Sequence, residues 1–217
     1  MAMMNNREAI KSCLEKTKVV AIIRGMAPQI CVKLAAAYRV GGIRLVEVPF
    51  NQVGSLDETV SAIKAIKAAE PKMFVGAGTV LTEAQLELAK AAGAEFIVMP
   101  NCNPALIRKA SAAGLVTIPG TFTPSEMVAA HEAGADYIKV FPVRSLGPDY
   151  IRDVLVPLKM LKLIAASGVS VENAAAYIKA GCVAVGVSGA LVNREWIAAG
   201  DYAKIADVAE KLVSALI

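Results

Sequence analysis

HEAGADYIKVFP, residues 131–142, holds the phrase on which the chain is built: an alanine-rich helix end, a glycine, then a short apolar strand. The phrase returns as RVGGIRLVEVPF (39–50), KAAGAEFIVMP (90–100), SAAGLVTIPG (111–120) and KAGCVAVGV (179–187). Its glycines are Gly42, Gly93, Gly114, Gly134 and Gly181, and glycine suits the left-handed position just past a helix. Gly93, Gly114 and Gly134 are about 20 residues apart, room for one strand and one helix. Filling the wider gaps predicts eight strands, near 19–23, 44–48, 74–77, 96–99, 116–119, 137–141, 162–166 and 183–187. Helices are expected near 28–40, 55–69, 82–92, 103–113, 123–133, 148–156, 171–180 and 201–216, with LTEAQ, FTPSE and SVENA as capped starts. One more helix, about 5–16, precedes the first strand.

Continuous apolar strands alternating with helices indicate a parallel sheet covered on both faces. Eight such units favour a (β/α)8 barrel with an extra N-terminal helix, residues 1–217 forming one domain. An open doubly wound sheet is the alternative, but AIIRGMAP after the first strand carries no GxGxxG.

In a barrel, chemistry gathers at the C-terminal strand ends. There the chain places Arg24, Glu47, Asn51, Thr79, Pro100, Lys139, Ser167, Gly168, Ser188 and Gly189. Glu47 and Lys139 lie inside strands, in VEV and IKV. A buried unpaired charge is costly, so such groups are paired or neutralised. One reading is a structural ion pair. The other is catalytic: burial lowers the lysine pKa, and a free amine attacks a carbonyl to form a Schiff base. The iminium then accepts electrons from a breaking C–C bond, with Glu47 as proton shuttle. Arg24 and Thr79 suit a carboxylate, unless Arg24 serves an ion pair and Thr79 a helix cap. AASGVSVEN and VGVSGAL set backbone N–H groups of Ser167, Gly168, Ser188 and Gly189 where a barrel commonly binds phosphate.

Composition narrows the classes. The net charge is +4, with 23 basic and 19 acidic residues and no basic run, which speaks against nucleic acid and mildly favours an anionic small substrate. No apolar run has the length of a membrane span, and the polar N-terminus lacks a signal-peptide core, so a cytoplasmic protein is expected. Four scattered cysteines are expected to be reduced thiols. The single histidine, His131, is expected on a helix surface, which leaves no serine–histidine or His-rich metal site. The Schiff-base cycle requires neither metal nor cofactor.

The ordered segments VVAIIRG, LVEVPFN, VGAGTVLT, FIVMPN, IPGTFTPSE, IKVFPV…LGPDYI and GVSVENAAAYIKAGCVAVGVSGALV resemble the 2-keto-3-deoxy-6-phosphogluconate (KDPG), phosphogalactonate and 4-hydroxy-2-oxoglutarate aldolase family over nearly the whole chain. The resemblance implies a class I aldolase, usually a homotrimer, that reversibly splits a sugar-acid phosphate into pyruvate and glyceraldehyde 3-phosphate. It implies Lys139 as the Schiff-base lysine and Glu47 as acid/base. Arg24 and Thr79 match pyruvate-side contacts, and Pro100 and Phe141 match pocket walls. Three positions depart from the family pattern. Asn51 stands where phosphogluconate members often have arginine. Ala166, Ser167 and Gly168 replace Thr-Gly-Gly, and Ser188–Gly189 reverses Gly-Ser. The last two leave open an unphosphorylated hydroxy-oxo acid or oxaloacetate decarboxylation; an inactive ligand-binding barrel is the non-enzymatic alternative.

Overall fold

The computed structural model describes residues 6–53 and 55–217. Helix α1 (Asn6–Thr17) comes first; the start of its expected span, residue 5, lies outside the described residues. The strands are β1 (Val19–Ile22), β2 (Leu45–Pro49), β3 (Phe74–Gly78), β4 (Phe96–Val98), β5 (Val116–Ile118), β6 (Gly120–Thr121), β7 (Ile138–Val140), β8 (Leu163–Ala166) and β9 (Ala184–Val187). Between and after them run α2 (Pro28–Val40), α3 (Asp57–Ala69), α4 (Glu83–Ala91), α5 (Pro104–Ala112), α6 (Pro124–Glu132), α7 (Gly147–Leu155), α8 (Ala174–Lys179), α9 (Arg194–Ala199) and α10 (Tyr202–Ser214).

Every strand pair is parallel, in the order β5-β4-β3-β2-β1-β9-β8-β7-β6. The expected fifth strand, 116–119, is β5; it stops at Pro119, which has no N–H for the ladder, and resumes beyond the expected span as β6. On one side Met99 N–H donates to Ile118 O (3.1 Å). On the other, the carbonyls of Thr117, Pro119 and Thr121 accept from the N–H groups of Tyr137, Lys139 and Phe141 at 3.2, 2.8 and 2.9 Å. The sheet therefore closes into the expected barrel.

Each glycine of the repeat has positive φ, from 81° at Gly114 to 113° at Gly181. The next N–H reaches back five residues in all five cases: Ile43 to Tyr38, Ala94 to Ala89, Leu115 to Ala110, Ala135 to Ala130 and Cys182 to Tyr177, at 2.9–3.2 Å. These bonds satisfy the last helical carbonyls and turn the chain into the next strand. Thr82 with Gln85, and Thr123 with Glu126, form the two expected capping boxes. The third start differs. Helix α8 begins at Ala174, because Asn173 Oδ1 accepts from Ser170 N–H (2.8 Å) and holds residues 170–173 as a turn. Helix α9 was not expected; Asn193 caps it through Trp196 N–H (3.0 Å) and Gly200 ends it at φ 72°.

Strand side chains alternate between two cores. Val46, Val48, Ile97, Ile138, Val140, Leu163 and Val185 pack outward under the helices. Val20, Leu45, Phe96, Val98, Val116, Ile118, Tyr137, Ile164 and Ala184 fill the barrel together with Ile10 and Leu14 of α1. Helix α1 thus plugs the N-terminal end, and Tyr137 Oη donates to Glu15 Oε1 (3.0 Å) to fasten it. Leu14 is fully buried, so Leu14→Ala is expected to cost about 2–5 kcal/mol in urea unfolding, the range for a core leucine whose cavity does not collapse. A cost below ~1 kcal/mol would show that α1 is dispensable to the barrel. Among the described residues no helix is long and apolar enough to cross a membrane.

Candidate active site

The inward parity that fills the barrel also aims the polar strand ends. Leu45 and Tyr137 point into the core, so Glu47 and Lys139, two residues on, point the same way one layer higher. Both rest on Val20, Val98, Ile118 and Ile164. Above them opens a cavity of about 610 Å³ at the C-terminal ends of the strands. Its wall includes Arg24, Glu47, Thr79, Pro100, Lys139, Phe141, Ser167, Gly168, Ser188 and Gly189. Of the site residues expected from sequence, Asn51 alone is elsewhere, in a neighbouring hollow of about 390 Å³ shared with Arg24, Gln52 and Thr79.

Glycines make room for this arrangement. A Cβ built on Gly78 would overlap Glu47 Oε1 and sit 2.5 Å from its carboxyl carbon, so the glutamate lies flat over β3 because position 78 has no side chain. Gly120 likewise lets the backbone of Pro100 come within 2.5 Å of where its Cβ would be.

Glu47 is 4 % exposed, and loss of solvent raises its pKa against the opposing charges of Lys139 and Arg24. Burial lowers the pKa of Lys139; Glu47 opposes that shift and the Arg24 charge reinforces it. The half-buried Lys139 has its Nζ 4.7 Å from the centre of the Phe141 ring. Among the described residues no ion pair within 4.0 Å joins Lys139 to Glu47. The alternative of a structural ion pair therefore does not describe these two groups. Desolvation drives both toward their uncharged forms, an amine and a carboxylic acid. Arg24, exposed at the rim, also has no ion-pair partner within that distance among the described residues.

Thr79 has φ 53° and Ser167 φ 69°, a conformation uncommon for side-chain-bearing residues and a genuine outlier for a β-branched one. Gln52 holds the first: its Nε2 donates to Thr79 O (3.0 Å), and its Oε1 accepts from Gln85 Nε2 (3.0 Å) of the α4 capping box. Asn173 holds the second region by donating from Nδ2 to Gly168 O (2.9 Å). Ser188 spends its hydroxyl on Ile22 O (3.0 Å). Arg144, Ser170 and Asn173 also line the cavity. Sequence reading passed over them because they lie beyond the strand ends. The Ser-x-x-Asn spacing of SVEN is the one sequence signal for them, and it suits a helix cap equally well. His131 is exposed on α6, and the four cysteines are free.

The sequence profile described as "KDPG and KHG aldolase" matches residues 10–208. A "probable 2-dehydro-3-deoxy-6-phosphogalactonate aldolase" of Rhizobium meliloti (strain 1021) is 39 % identical over 184 residues, covering 84 % of this chain and 85 % of that protein. The 2-dehydro-3-deoxy-6-phosphogalactonate aldolase of Escherichia coli (strain K12) is 34 % identical over 177 residues, covering 81 % and 85 %. The 2-dehydro-3-deoxy-phosphogluconate aldolase of Treponema pallidum (strain Nichols) is 31 % identical over 203 residues, covering 93 % and 95 %. Among solved structures, one described as "Native KDPGal structure" superposes with TM-score 0.81 at 32 % identity, covering 91 % of this chain and 93 % of that one. The barrel, the inward lysine and buried glutamate at its mouth and these likenesses along the chain agree, and the chain belongs to the KDPG and KHG aldolase family.

Proposed function

We propose that this chain is a class I aldolase that cleaves a 2-keto-3-deoxy-6-phospho sugar acid to pyruvate and glyceraldehyde 3-phosphate. The observation that carries the reading is Lys139, an unpaired amine on an inward strand position with a lowered pKa, sharing one cavity with buried Glu47. Lys139 Nζ adds to the C2 carbonyl; Glu47, as the carboxylic acid, protonates the departing hydroxyl, so water leaves, an iminium forms and Glu47 becomes a carboxylate. The C3–C4 bond then breaks. Its electron pair flows into the iminium to leave an enamine, and the C4 hydroxyl proton passes to the Glu47 carboxylate as the aldehyde departs. Glu47 returns that proton to C3, and water releases pyruvate from Lys139. A raised pKa suits a group that must take and give the same proton near neutrality. Arg24 and Thr79 hold the substrate carboxylate, and Pro100 and Phe141 wall the imine. The backbone at Ser167, Gly168, Ser188 and Gly189 receives the phosphate.

A second reading, an unphosphorylated hydroxy-oxo acid or oxaloacetate as substrate, is favoured by the Ser188 hydroxyl, whose proton is donated to Ile22 O of β1 (3.0 Å). A panel of phosphorylated and unphosphorylated 2-keto-3-deoxy acids, assayed by pyruvate release, separates the two. Borohydride trapping with pyruvate tests the lysine. One adduct is expected, on Lys139, and its rate should rise with pH through a midpoint below the ordinary lysine value of 10.5, because attack needs the free amine and burial disfavours the ammonium ion. An adduct elsewhere, or a midpoint at the ordinary value, contradicts the proposal.

The same reading takes residues 1–217 as one barrel domain, supported by an outer core that runs from Val19 to Leu216. A cytoplasmic location is supported by the four free cysteines. The homotrimer rests on family resemblance and is checked by sedimentation equilibrium.

A further inference from the structure

A second arginine lines the cavity, Arg144, in the turn after β7. Counted round the sheet it lies three strands from Arg24, which follows β1. An exposed arginine in a loop is ordinarily a solvated surface charge. Three observations set this one apart. Its backbone is built into the floor of the loop after β8: the Arg144 N–H donates to Ser167 O (2.9 Å). A Cβ on Gly168 would lie 2.7 Å from Arg144 Cβ and 2.8 Å from its Cα, so the two segments touch only because position 168, at φ 110°, is glycine. Among the described residues no carboxylate lies within 4.0 Å of its guanidinium. The nearby hydroxyl of Ser188, meanwhile, is committed to β1.

We infer that Arg144 is the side-chain clamp for the anionic group at the far end of the substrate, and that it sets the preference for a phosphorylated over an unphosphorylated keto acid. This rests on the aldolase reading above and deepens it. Two arginines on one cavity that also holds the amine and the acid suit a substrate charged at both ends. A guanidinium offers a fork of donors to phosphate oxygens, which a hydroxyl does not. The positive φ of Ser167, the glycine at 168 and the Asn173 brace shape the loop against which the Arg144 stem is set.

The test compares the unaltered protein with Arg144→Ala and Arg144→Lys on a 2-keto-3-deoxy-6-phospho acid and on the same acid without phosphate. In Arg144→Ala the ratio of kcat/KM for the two substrates should fall roughly 10- to 100-fold, the scale of a lost charged hydrogen bond, mainly through KM. Arg144→Lys should recover part of the ratio. Calorimetry with glycerol 3-phosphate, and glycerol as control, should show about a 10-fold weaker phosphate interaction in Arg144→Ala. An unchanged ratio, an equal loss on both substrates, or undiminished glycerol 3-phosphate binding would overturn the inference. Absence of a pyruvate adduct in the unaltered protein would instead refute the aldolase reading, while glycerol 3-phosphate binding still decides the role of Arg144.

Discussion

Lys139→Met is expected to lower kcat/KM by roughly 10³-fold or more, the scale on which loss of a covalent nucleophile registers, and to abolish borohydride trapping with pyruvate. The fold should survive intact. Methionine is close to lysine in length, is apolar, and can stay against the Phe141 ring that now lies 4.7 Å from Nζ. Stability should rise, and the reason is linkage. Native Lys139 binds its proton less well than in the unfolded chain, whose value is the ordinary 10.5. Between the lowered native pKa and 10.5 the unfolded state therefore holds more protons, and stability increases with pH. The lysine costs most at and below its native pKa and nothing well above 10.5. The melting temperature of Lys139→Met should accordingly exceed that of the parent by more at pH 7 than at pH 10. Residual turnover within tenfold of the parent would remove Lys139 from the chemistry.

Glu47→Gln should reduce kcat by about 10²- to 10⁴-fold, the usual contribution of a positioned acid/base group. Lys139 should still form an adduct with pyruvate on long incubation. The distinguishing readout is exchange of pyruvate methyl protons with deuterium, followed by proton NMR, because exchange requires the enamine to be protonated and deprotonated at C3. The parent should exchange and Glu47→Gln should not. Gly78→Ala reaches the same group from behind. Its methyl would occupy the space of Glu47 Oε1, so the carboxyl must rotate away from the cavity floor. It should lose exchange and kcat in the same direction while keeping Glu47 itself. If Gly78→Ala exchanges at the parent rate, the flat pose of Glu47 over β3 has no part in proton transfer.

The barrel was legible because its signals are local. Helix ends are marked by a glycine that needs positive φ, and two starts by Thr-x-x-Gln and Thr-x-x-Glu boxes. Misreadings arose where one local signal served another purpose. Ser170 and Asn173 form a turn that braces the loop rather than a helix cap. The last expected helix, 201–216, is α10; the short α9, which ends at Gly200, carried no helical pattern long enough to mark it. Lys139 and Glu47 stood out in sequence because a charge amid β-branched residues must be explained energetically.

By itself, then, the sequence determined the repeating unit, the parallel sheet and the two charged strand positions, since hydrophobic period, capping and the cost of burying charge act over a few neighbouring residues. Tertiary structure alone decided which way those strands face. They are apolar on both sides, so alternation cannot be read from them, and only closure through β5 and β6 turns Glu47 and Lys139 inward. It also decided that they stand apart rather than paired, that Gly78 gives Glu47 its place, that Asn51 belongs to a separate hollow, and that Arg144 meets the Ser167–Gly168 loop. Those outcomes depend on strand register and on distances between residues far apart in the chain, which no local pattern encodes.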